Sequence, residues 1–317
     1  MNGFRIFFNF IYMKILITGA SGFIGQSLIP ALQEQGNEII AVTRNRDEVS
    51  HMLPAAVSLI GWDKHELRAA LEEADVVINL AGETIASPPW NKKKKTAIMN
   101  SRLLAAQRLH QAISTISNKP SVFIQASAIG YYGHRTDMEC SEATPAGEGF
   151  LAEVCRKWES YVPELDKLNL RTITIRIGVV LGKYGGAFPE LLKQSKRHLA
   201  GTLGSGQQWM SWIHIYDLVY AILFLINDAG ASGVFNMVAP KPVRQKEFAA
   251  EMKKAGESGF QLPAPGFMLR LLLGEFGKEV LLSGQKVSAS KLIRQGFLFR
   301  FNELKPAMED LFDPFSH

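Results

Sequence analysis

The chain has 317 residues, of which 47% are hydrophobic and 21% charged, and its formal net charge is +5. This composition is that of a soluble globular protein and excludes a disordered chain. The basic run from Lys92 to Lys95 lacks interleaved aromatic residues, so we predict a solvated helix face and no nucleic-acid partner. Cys140 and Cys155 show neither metal-ligand nor redox spacing, which predicts no metal site and favours a cytoplasmic location.

The first twelve residues, MNGFRIFFNFIY, are apolar and precede a second methionine, Met13. Because no small-residue cleavage site follows them, we interpret residues 1–12 as an extension outside the fold and not as a signal peptide. The longest later apolar stretch, Leu218 to Ile226, is too short to span a bilayer. We therefore predict no membrane partner.

The segment KILITGASGFIG, Lys14 to Gly25, begins with a continuous apolar run that is typical of a strand buried on both faces. Gly19 would allow a tight turn, Gly22 would let the backbone approach a pyrophosphate, and Gly25 would let the next helix pack close to the sheet. The start of that helix would face the phosphates. The predicted nucleotide contacts here are Gly19, Ser21, Gly22, Phe23, Ile24 and Gly25.

The second predicted strand, Glu38 to Thr43, is followed directly by Arg44. An acidic residue at this point binds the ribose hydroxyl of NAD, whereas an arginine accommodates the 2′-phosphate of NADP. Arg46 offers a second guanidinium, and the nearest acid, Asp47, comes too late to bind the ribose. We therefore predict NADP as the cofactor, with Thr43 and Arg44 in its site; a plain surface arginine at a strand end is the alternative.

Strands and helices continue to alternate, as a doubly wound parallel sheet requires. The buried strand VVINLAGE, Val76 to Glu83, ends in Ala81 and Gly82, whose small size would permit close approach of a cofactor. Trp62 and Asp63 follow the third strand and could flank an adenine, although a tryptophan there is as often a packing residue. The next predicted elements are a helix from Lys93 to Ile116, a strand and loop from Ser121 to Gly133, and a strand from Arg171 to Gly182.

Seven motifs follow one another along the chain. They are the phosphate turn, NLAGE at Asn79 to Glu83, SAIGYYG at Ser127 to Gly133, VCRKWE at Val154 to Glu159, RIGVVLG at Arg176 to Gly182, GSGQQWMSWIHIYD at Gly204 to Asp217 and FNMVAPKPV at Phe235 to Val243. From Met13 almost to the end, the chain resembles the NAD-dependent epimerase/dehydratase-like branch of the short-chain dehydrogenase/reductases. More narrowly, it resembles the atypical group labelled epimerase family protein.

The resemblance implies an α/β fold, an extended Rossmann fold with a smaller C-terminal substrate-binding lobe. The NADP-binding domain would comprise residues 13–182 and 213–240, and the lobe residues 183–212 and 241–317. In that family the glycine turn and a Thr-Arg pair belong to the NADP site, together with an Ala-Gly pair and two further arginines. The residues implied in this chain are Gly19, Gly22, Gly25, Thr43, Arg44, Ala81, Gly82, Arg102 and Arg176, with Glu83 beside the cofactor.

One feature of the superfamily is missing. Typical members carry a Tyr-x-x-x-Lys pair in which the lysine lowers the tyrosine pKa from about 10 for proton transfer. Alignment on Glu159 puts Leu151 at the tyrosine position and Cys155 at the lysine position. Leucine has no proton to give, and the cysteine is more typical of a small buried residue than of a base. Ser127 does stand where the superfamily places its strand hydroxyl.

The first candidate for a substitute catalytic residue is Tyr132, because it follows the fifth strand closely and Gly133 gives its loop freedom; Tyr131 and Ser127 are the others. Glu83 and His214 are further acid/base candidates. Each also has a structural alternative: the tyrosines could be loop packing, His214 could be hydrogen-bonded in a domain junction, and Glu83 could cap a loop. The residues alone identify no mechanism.

Two classes of function stay open. The first is an NADP(H)-dependent oxidoreductase or epimerase acting on a small polar molecule in the cleft between domain and lobe. The second is an NADP(H)-binding protein without turnover that reports cofactor state to a partner. Loss of the Tyr-Lys pair favours the second class. The intact cofactor loops favour the first, which we prefer. The sequence predicts neither the substrate nor the oligomeric state.

Overall fold

The computed structural model describes residues 12–135, 137–196, 201–255 and 262–313. Of the predicted extension at residues 1–12, all but Tyr12 lie outside the described residues. The strands are β1 Lys14–Thr18, β2 Glu38–Val42, β3 Ser58–Ile60, β4 Val76–Asn79, β5 Val122–Ala128, β6 Glu139–Cys140, β7 Arg171–Ile177, β8 Val179–Gly182, β9 Gly185–Gly186, β10 Trp209–Met210, β11 Trp212–His214, β12 Gly233–Met237, β13 Val243–Arg244 and β14 Lys286–Val287.

Helices connect these strands and extend to the end of the described chain. They are α1 Phe23–Glu34, α2 Arg46–Ser50, α3 Lys64–Glu73, α4 Lys92–Thr115, α5 Phe150–Glu159, α6 Val162–Asp166, α7 Phe188–Lys196, α8 Ile215–Asn227, α9 Gln245–Ala255, α10 Gly266–Phe276, α11 Ser290–Arg294 and α12 Leu304–Phe312. Ile129–Tyr132 forms a 3-10 turn and Gly277–Leu281 a π-helical turn. Within the described ranges, no helix combines the length and the apolar character that crossing a membrane requires.

The central sheet, as far as the structure describes the chain, has seven strands in the order β12-β7-β5-β4-β1-β2-β3. All neighbouring strands in it are parallel. This arrangement confirms the predicted doubly wound α/β fold. The strand order reverses between β1 and β4, and the crevice outside the carboxyl ends of such a pair is where open α/β sheets bind ligands.

The alternation of side chains along β1 explains why both faces of the sheet are covered. Ile15 and Ile17 pack on one face in a buried cluster that includes Leu28 of α1 and the apolar side of α8. Leu16 points to the other face, where it joins Leu71 of α3 and Leu109 of α4. Because successive strand residues point to opposite faces, a strand covered on both sides must be apolar throughout. The core is therefore a sheet between two helical layers.

The predicted strand from Arg171 to Gly182 is wrong, because the structure divides it into β7 and β8 at Gly178. The Gly178 N–H still donates to the Met237 carbonyl at 3.0 Å, but the next N–H, of Val179, donates to the Ser211 carbonyl at 2.9 Å. A Cβ at Gly178 would lie 2.6 Å from that same Ser211 oxygen. The chain thus leaves the central sheet at a position where only glycine fits.

C-terminal segments form a further buried cluster beyond this point. Phe188 of α7, Trp212 of β11, Phe248 of α9 and Met308 of α12 belong to it. Another cluster joins α4 and α5 to the C-terminal helix α10 through Phe276. The C-terminal region thus packs on the sheet domain, while the predicted boundaries between domain and lobe stay a prediction.

Candidate functional site

A cavity of about 500 Å³ lies at the carboxyl ends of β1, β2 and β4. Its size is in the range of small-molecule and cofactor sites. Five parts of the chain line it: the turn after β1, the segment after β2 that includes α2, Trp62 after β3, the loop after β4 and one face of α4. The predicted cofactor residues that line it are Gly19, Ser21, Gly22, Thr43, Arg44, Ala81, Gly82 and Glu83.

The turn after β1 is tight at Gly19, as the sequence predicts. Gly19 has φ of +71°, and a Cβ there would lie 2.6 Å from the Leu80 carbonyl oxygen. At Gly25 a Cβ would lie 2.4 Å from the Ala20 oxygen, so the start of α1 is in close contact with the turn. No acidic residue lies in the first turn of α1, and no side chain caps it. Its free N–H groups are therefore available to an anion.

A buried row of polar side chains holds the cavity floor in register. The Asn79 Oδ1 accepts a hydrogen bond from Thr18 Oγ1 at 2.6 Å and a longer one from the Ala81 N–H at 3.3 Å. The Asn79 amide donates to Gln125 Oε1 at 3.0 Å. Because a satisfied buried network is rigid, it fixes the ends of β1 and β4 relative to each other and to the middle of β5.

The loop after β2 presents a single free arginine to the cavity. The side chain of Arg44 is exposed and makes no ion pair or hydrogen bond with any described residue. Asn45 caps α2 by accepting the Glu48 N–H. The expectation that Arg46 also faces a phosphate is corrected, because Arg46 is ion-paired with Glu66 of α3 and does not line the cavity. Glu66 is fixed there by the Gly61 N–H, at 2.9 Å.

Sequence reasoning predicted Arg102 as the cofactor residue of α4 and missed the residues of this helix that line the cavity. Ser101, Leu104, Ala105 and Arg108 line the cavity from this helix. Their spacing places them on one helix face, and this spacing is the only sequence feature that indicates a shared position at the cavity. The Arg108 guanidinium carbon lies 5.7 Å from the ring centroid of Trp62, which also lines the cavity.

Phe23 and Ile24, predicted as cofactor contacts, do not line the cavity. The Phe23 ring lies so close to Gly182 and Gly185 that a Cβ at either would fall within 2.4 Å of it. Ile24 packs against the main core cluster. Their side chains anchor α1, so a contact with a nucleotide could come only from their backbone.

Arg102 lies directly beneath the loop after β4. A Cβ on Gly82 would lie 3.0 Å from its guanidinium carbon. The Arg102 Nη1 donates to the carbonyl oxygens of Glu83 and Ile98, both at 3.0 Å, and the guanidinium carbon lies 5.0 Å from the Trp158 ring centroid. No carboxylate within the described ranges pairs with it. Arg102 thus supports the cavity wall, and its direct contact with a cofactor stays a prediction.

Arg176, the other predicted cofactor arginine, belongs to a buried ion pair. Its Nε and Nη2 donate to the two oxygens of Glu159 at 3.0 and 2.8 Å, and its Nη1 donates to the Tyr132 hydroxyl at 3.1 Å. Its side chain is 4% exposed and that of Glu159 13%. Every guanidinium nitrogen is thus occupied and none lines the cavity, so a contact of Arg176 with the cofactor stays a prediction and would require this ion pair to open.

Two of the three candidate catalytic hydroxyls belong to the same network. Ser127 Oγ donates to Glu159 Oε1 at 2.6 Å. The Tyr132 hydroxyl is fully buried and donates to Asn236 Oδ1 at 2.6 Å. Burial raises the pKa of Tyr132 to about 12. A catalytic role for Ser127 or Tyr132 stays a prediction, and it would require this network to open.

Tyr131 differs from its two neighbours. Its ring lies over the Arg176 guanidinium, with 3.4 Å between the ring centroid and the guanidinium carbon. It is half-buried, and its hydroxyl has no hydrogen-bond partner in the part of the chain that the structure describes. The cation therefore orients the ring while the hydroxyl stays available.

The positions of the missing Tyr-Lys pair are filled by apolar packing. Burial raises the pKa of the Cys155 thiol to about 11, which keeps it neutral at physiological pH. The backbone N–H groups of Phe150 and Leu151 donate to the Glu279 carboxylate at 2.7 and 2.9 Å. A C-terminal residue thus caps α5 where the superfamily would place its catalytic tyrosine.

The remaining two candidates have structural partners. Glu83 Oε1 is 2.8 Å from the Lys94 ammonium, although Glu83 also lines the cavity. His214 is 4% exposed and caps α8, since its Nδ1 accepts the Tyr216 N–H at 3.2 Å. The geometry therefore favours a structural role for His214, as a buried and hydrogen-bonded residue, over an acid/base role.

A doubly wound sheet with a glycine turn and a cavity at its switch point defines a Rossmann-type protein. The chain belongs to the NAD dependent epimerase/dehydratase family, whose sequence model matches residues 15–237. A second match, to a domain of unknown function (DUF1731), covers residues 264–311. The predicted resemblance to atypical short-chain dehydrogenase/reductases is confirmed.

Individual relatives match nearly the whole chain. An epimerase family protein of Staphylococcus aureus (strain N315) is 37% identical over 300 residues, which cover 94% of this chain and 98% of the relative. The chloroplastic epimerase family protein SDR39U1 homolog of Arabidopsis thaliana is 36% identical over 300 residues. The match covers 93% of this chain and 86% of the relative. The crystal structure of human epimerase family protein SDR39U1 with NADPH superposes on this chain with a TM-score of 0.83. The two chains are 31% identical in sequence, and the match covers 95% of this chain and 100% of the human one.

Proposed function

We propose that the chain binds NADP(H) in the cavity between β1, β2 and β4, and that it acts as an oxidoreductase or epimerase on a small polar substrate. The observation that carries the proposal is Arg44, an unpaired cation at the end of β2 in a cavity that also holds a glycine turn. The NADPH in the structure of the similar human protein supports it. NADP(H), when bound, would donate or accept a hydride.

The cavity residues suit the parts of such a cofactor. The uncapped start of α1, beyond Gly19 and Gly22, suits the pyrophosphate. The Thr43 hydroxyl and the Arg44 guanidinium suit the 2′-phosphate, because a guanidinium forms charge-assisted hydrogen bonds with phosphate oxygens. Glu48 is an acidic residue in the same lining, and its charge opposes a phosphate there. Arg44 is therefore the residue on which the preference for NADPH depends.

Replacement of Arg44 by alanine is expected to weaken NADPH binding by about 2 kcal/mol, or about 30-fold in Kd, and to leave NADH binding nearly unchanged. Isothermal titration of both nucleotides measures this. Arg46→Ala is the matched control, since Arg46 is ion-paired with Glu66 outside the cavity. Equal affinity of the unmodified protein for NADPH and NADH would contradict the proposal that NADP(H) is the preferred cofactor.

The catalytic part of the proposal concerns the hydroxyls at the end of β5. We place Tyr131 first among Tyr131, Tyr132 and Ser127, because its hydroxyl alone is unengaged in the described chain. Arg176 orients the Tyr131 ring, and Ser127 and Tyr132 hold the network in which Arg176 is fixed. Tyr131 would then exchange a proton with the substrate oxygen, directly or through one water.

Tyr131→Phe is expected to lower turnover by at least about 100-fold, the lower bound for lost acid/base help, without changing NADPH affinity. The assay follows NADPH absorbance over a panel of carbonyl compounds, alcohols and nucleotide sugars. Exposed Tyr184, substituted in the same way, is the control. Full turnover in the Tyr131→Phe variant would exclude this tyrosine from the mechanism.

A second candidate function is NADP(H) binding without turnover. It is favoured by Leu151 and the neutral, buried Cys155 at the positions of the Tyr-Lys pair. The engagement of Ser127 by Glu159 favours it as well. NADPH binding by the unmodified protein, with no turnover of any compound in the panel, would support this second function over the first.

A further inference from the structure

One part of the cavity wall holds two planar side chains that lie close together. Trp62 follows β3 and Arg108 projects from α4, and both line the cavity. The guanidinium carbon of Arg108 lies 5.7 Å from the Trp62 ring centroid, which is within the range of cation–π contacts. Trp62 in turn packs on the buried cluster that holds α3 and α4 against the sheet. The pair therefore has a rigid support.

Arg108 has no other partner in the described part of the chain. It is exposed, and it makes neither an ion pair nor a hydrogen bond with any described residue. Its contact with Trp62 is thus what orients its guanidinium there. A guanidinium with an aromatic ring on one side leaves its other side open to a second planar group.

The neighbours of Arg108 on α4 suit a base better than a phosphate. Leu104 and Ala105, one turn earlier on the same helix face, offer the cavity no hydrogen-bond donor from their side chains. Val42 and Met52 add further apolar lining. The polar lining at the end of β2 already contains Arg44. A cofactor with a planar base and a phosphorylated ribose suits both parts of the lining. The base suits the apolar part beside Arg108, and the phosphate suits the polar part at Arg44.

We propose that Arg108, supported by Trp62, is a specificity-determining residue for the nucleotide base, which stacks on its guanidinium while Arg44 binds the ribose 2′-phosphate. The inference rests on the proposed function, since it requires a purine nucleotide in this cavity. It assigns the two unpaired arginines of the lining, Arg108 and Arg44, to the base and the 2′-phosphate of one ligand. Their substitutions should therefore change the affinities for NADPH and NADH in different ways.

The experiment is a titration of NADPH, NADH and adenosine 2′,5′-bisphosphate. Arg108→Ala is expected to weaken all three by the same factor, about fivefold to tenfold, so that the ratio of NADPH to NADH affinity is unchanged. Arg108→Lys should recover little of the loss, because an ammonium has no planar face. Arg156→Ala is the control, because it removes an equally charged exposed side chain from outside the cavity.

Trp62 supplies a spectroscopic readout that does not depend on turnover. Adenosine 2′,5′-bisphosphate, which lacks nicotinamide, is expected to change the tryptophan emission of the unmodified protein. The chain has five tryptophans, so the change is assigned by comparison with Trp62→Phe, in which most of it should be lost. Circular dichroism of each variant verifies that it is folded.

The possible outcomes separate the inference from the proposed function. If Arg108→Ala weakens NADPH but not NADH, Arg108 is a phosphate ligand and the inference is overturned. Unchanged affinity for all three ligands in that variant also overturns it. Either result leaves NADP(H) binding standing. If the unmodified protein binds none of the nucleotides, the proposed function fails, and the inference fails with it.

Discussion

Replacement of Gly19 by alanine is expected to lower the free energy of unfolding by about 2–5 kcal/mol and to weaken NADPH binding by at least about tenfold. The left-handed backbone at φ of +71° costs a residue with a side chain about 1–2 kcal/mol. The new Cβ would lie 2.6 Å from the Leu80 carbonyl oxygen, and overpacking of this kind adds about 1–3 kcal/mol. Relief of this clash must displace Ala81 and Gly82, which line the cavity. The nucleotide would then lose about one hydrogen bond or more, which corresponds to the loss of affinity given above.

Gly36→Ala is the matched control for this substitution. Gly36 has a similar φ of +84°, but nothing lies within 4 Å of the Cβ that would be added. It should therefore cost only the conformational part, about 1–2 kcal/mol, and leave NADPH affinity unchanged. Chemical denaturation and titration of both variants provide the comparison. Equal effects at Gly19 and Gly36 would show that the contact between the turn and β4 does not matter.

Replacement of Glu159 by glutamine is expected to lower the free energy of unfolding by about 3–5 kcal/mol. The substitution keeps the size of the side chain but leaves the Arg176 guanidinium, 4% exposed, without its counter-charge. Ser127, which donates to the same carboxylate, would also lose its charged acceptor. Denaturant unfolding at neutral pH measures the loss.

Glu153→Gln on the same helix is the control for that prediction. Glu153 pairs with Lys157 at the surface, where both side chains are nearly half exposed, so its loss should cost less than about 1 kcal/mol. Replacement of Glu159 and Arg176 together by methionine should recover much of the stability, because no buried charge is then left unpaired. A loss no larger for Glu159→Gln than for Glu153→Gln would contradict the role assigned to the buried ion pair.

The fold and the glycine turn could be predicted because their causes are local in the sequence. A short continuous apolar run such as Ile15 to Ile17, followed at once by a glycine turn, is typical of a strand covered on both faces. The spacing of the three glycines matches one turn geometry, and both Gly19 and Gly25 are in contacts that leave no room for a side chain. The break at Gly178 was missed because it depends on Ser211, a residue distant in sequence.

The site could be predicted only in part, because long-range partners decide which arginines face the cavity. Arg44 and Arg46 both follow β2 and both offer a guanidinium to a phosphate, but Glu66 of α3 pairs with Arg46. Arg176 matches a family motif, yet its partner Glu159 holds it in a buried ion pair. Arg108 reaches the cavity because α4 packs beside Trp62, which no local pattern indicates.

The central claim is that NADP(H) binds in the cavity with its 2′-phosphate on Arg44. The most direct measurement is a crystal structure of the unmodified protein with NADPH. The account predicts the pyrophosphate at the start of α1 beside Gly22, and the 2′-phosphate within hydrogen-bond distance of Thr43 and Arg44. A nucleotide bound outside this cavity, or one whose 2′-phosphate points away from Arg44, would contradict the claim.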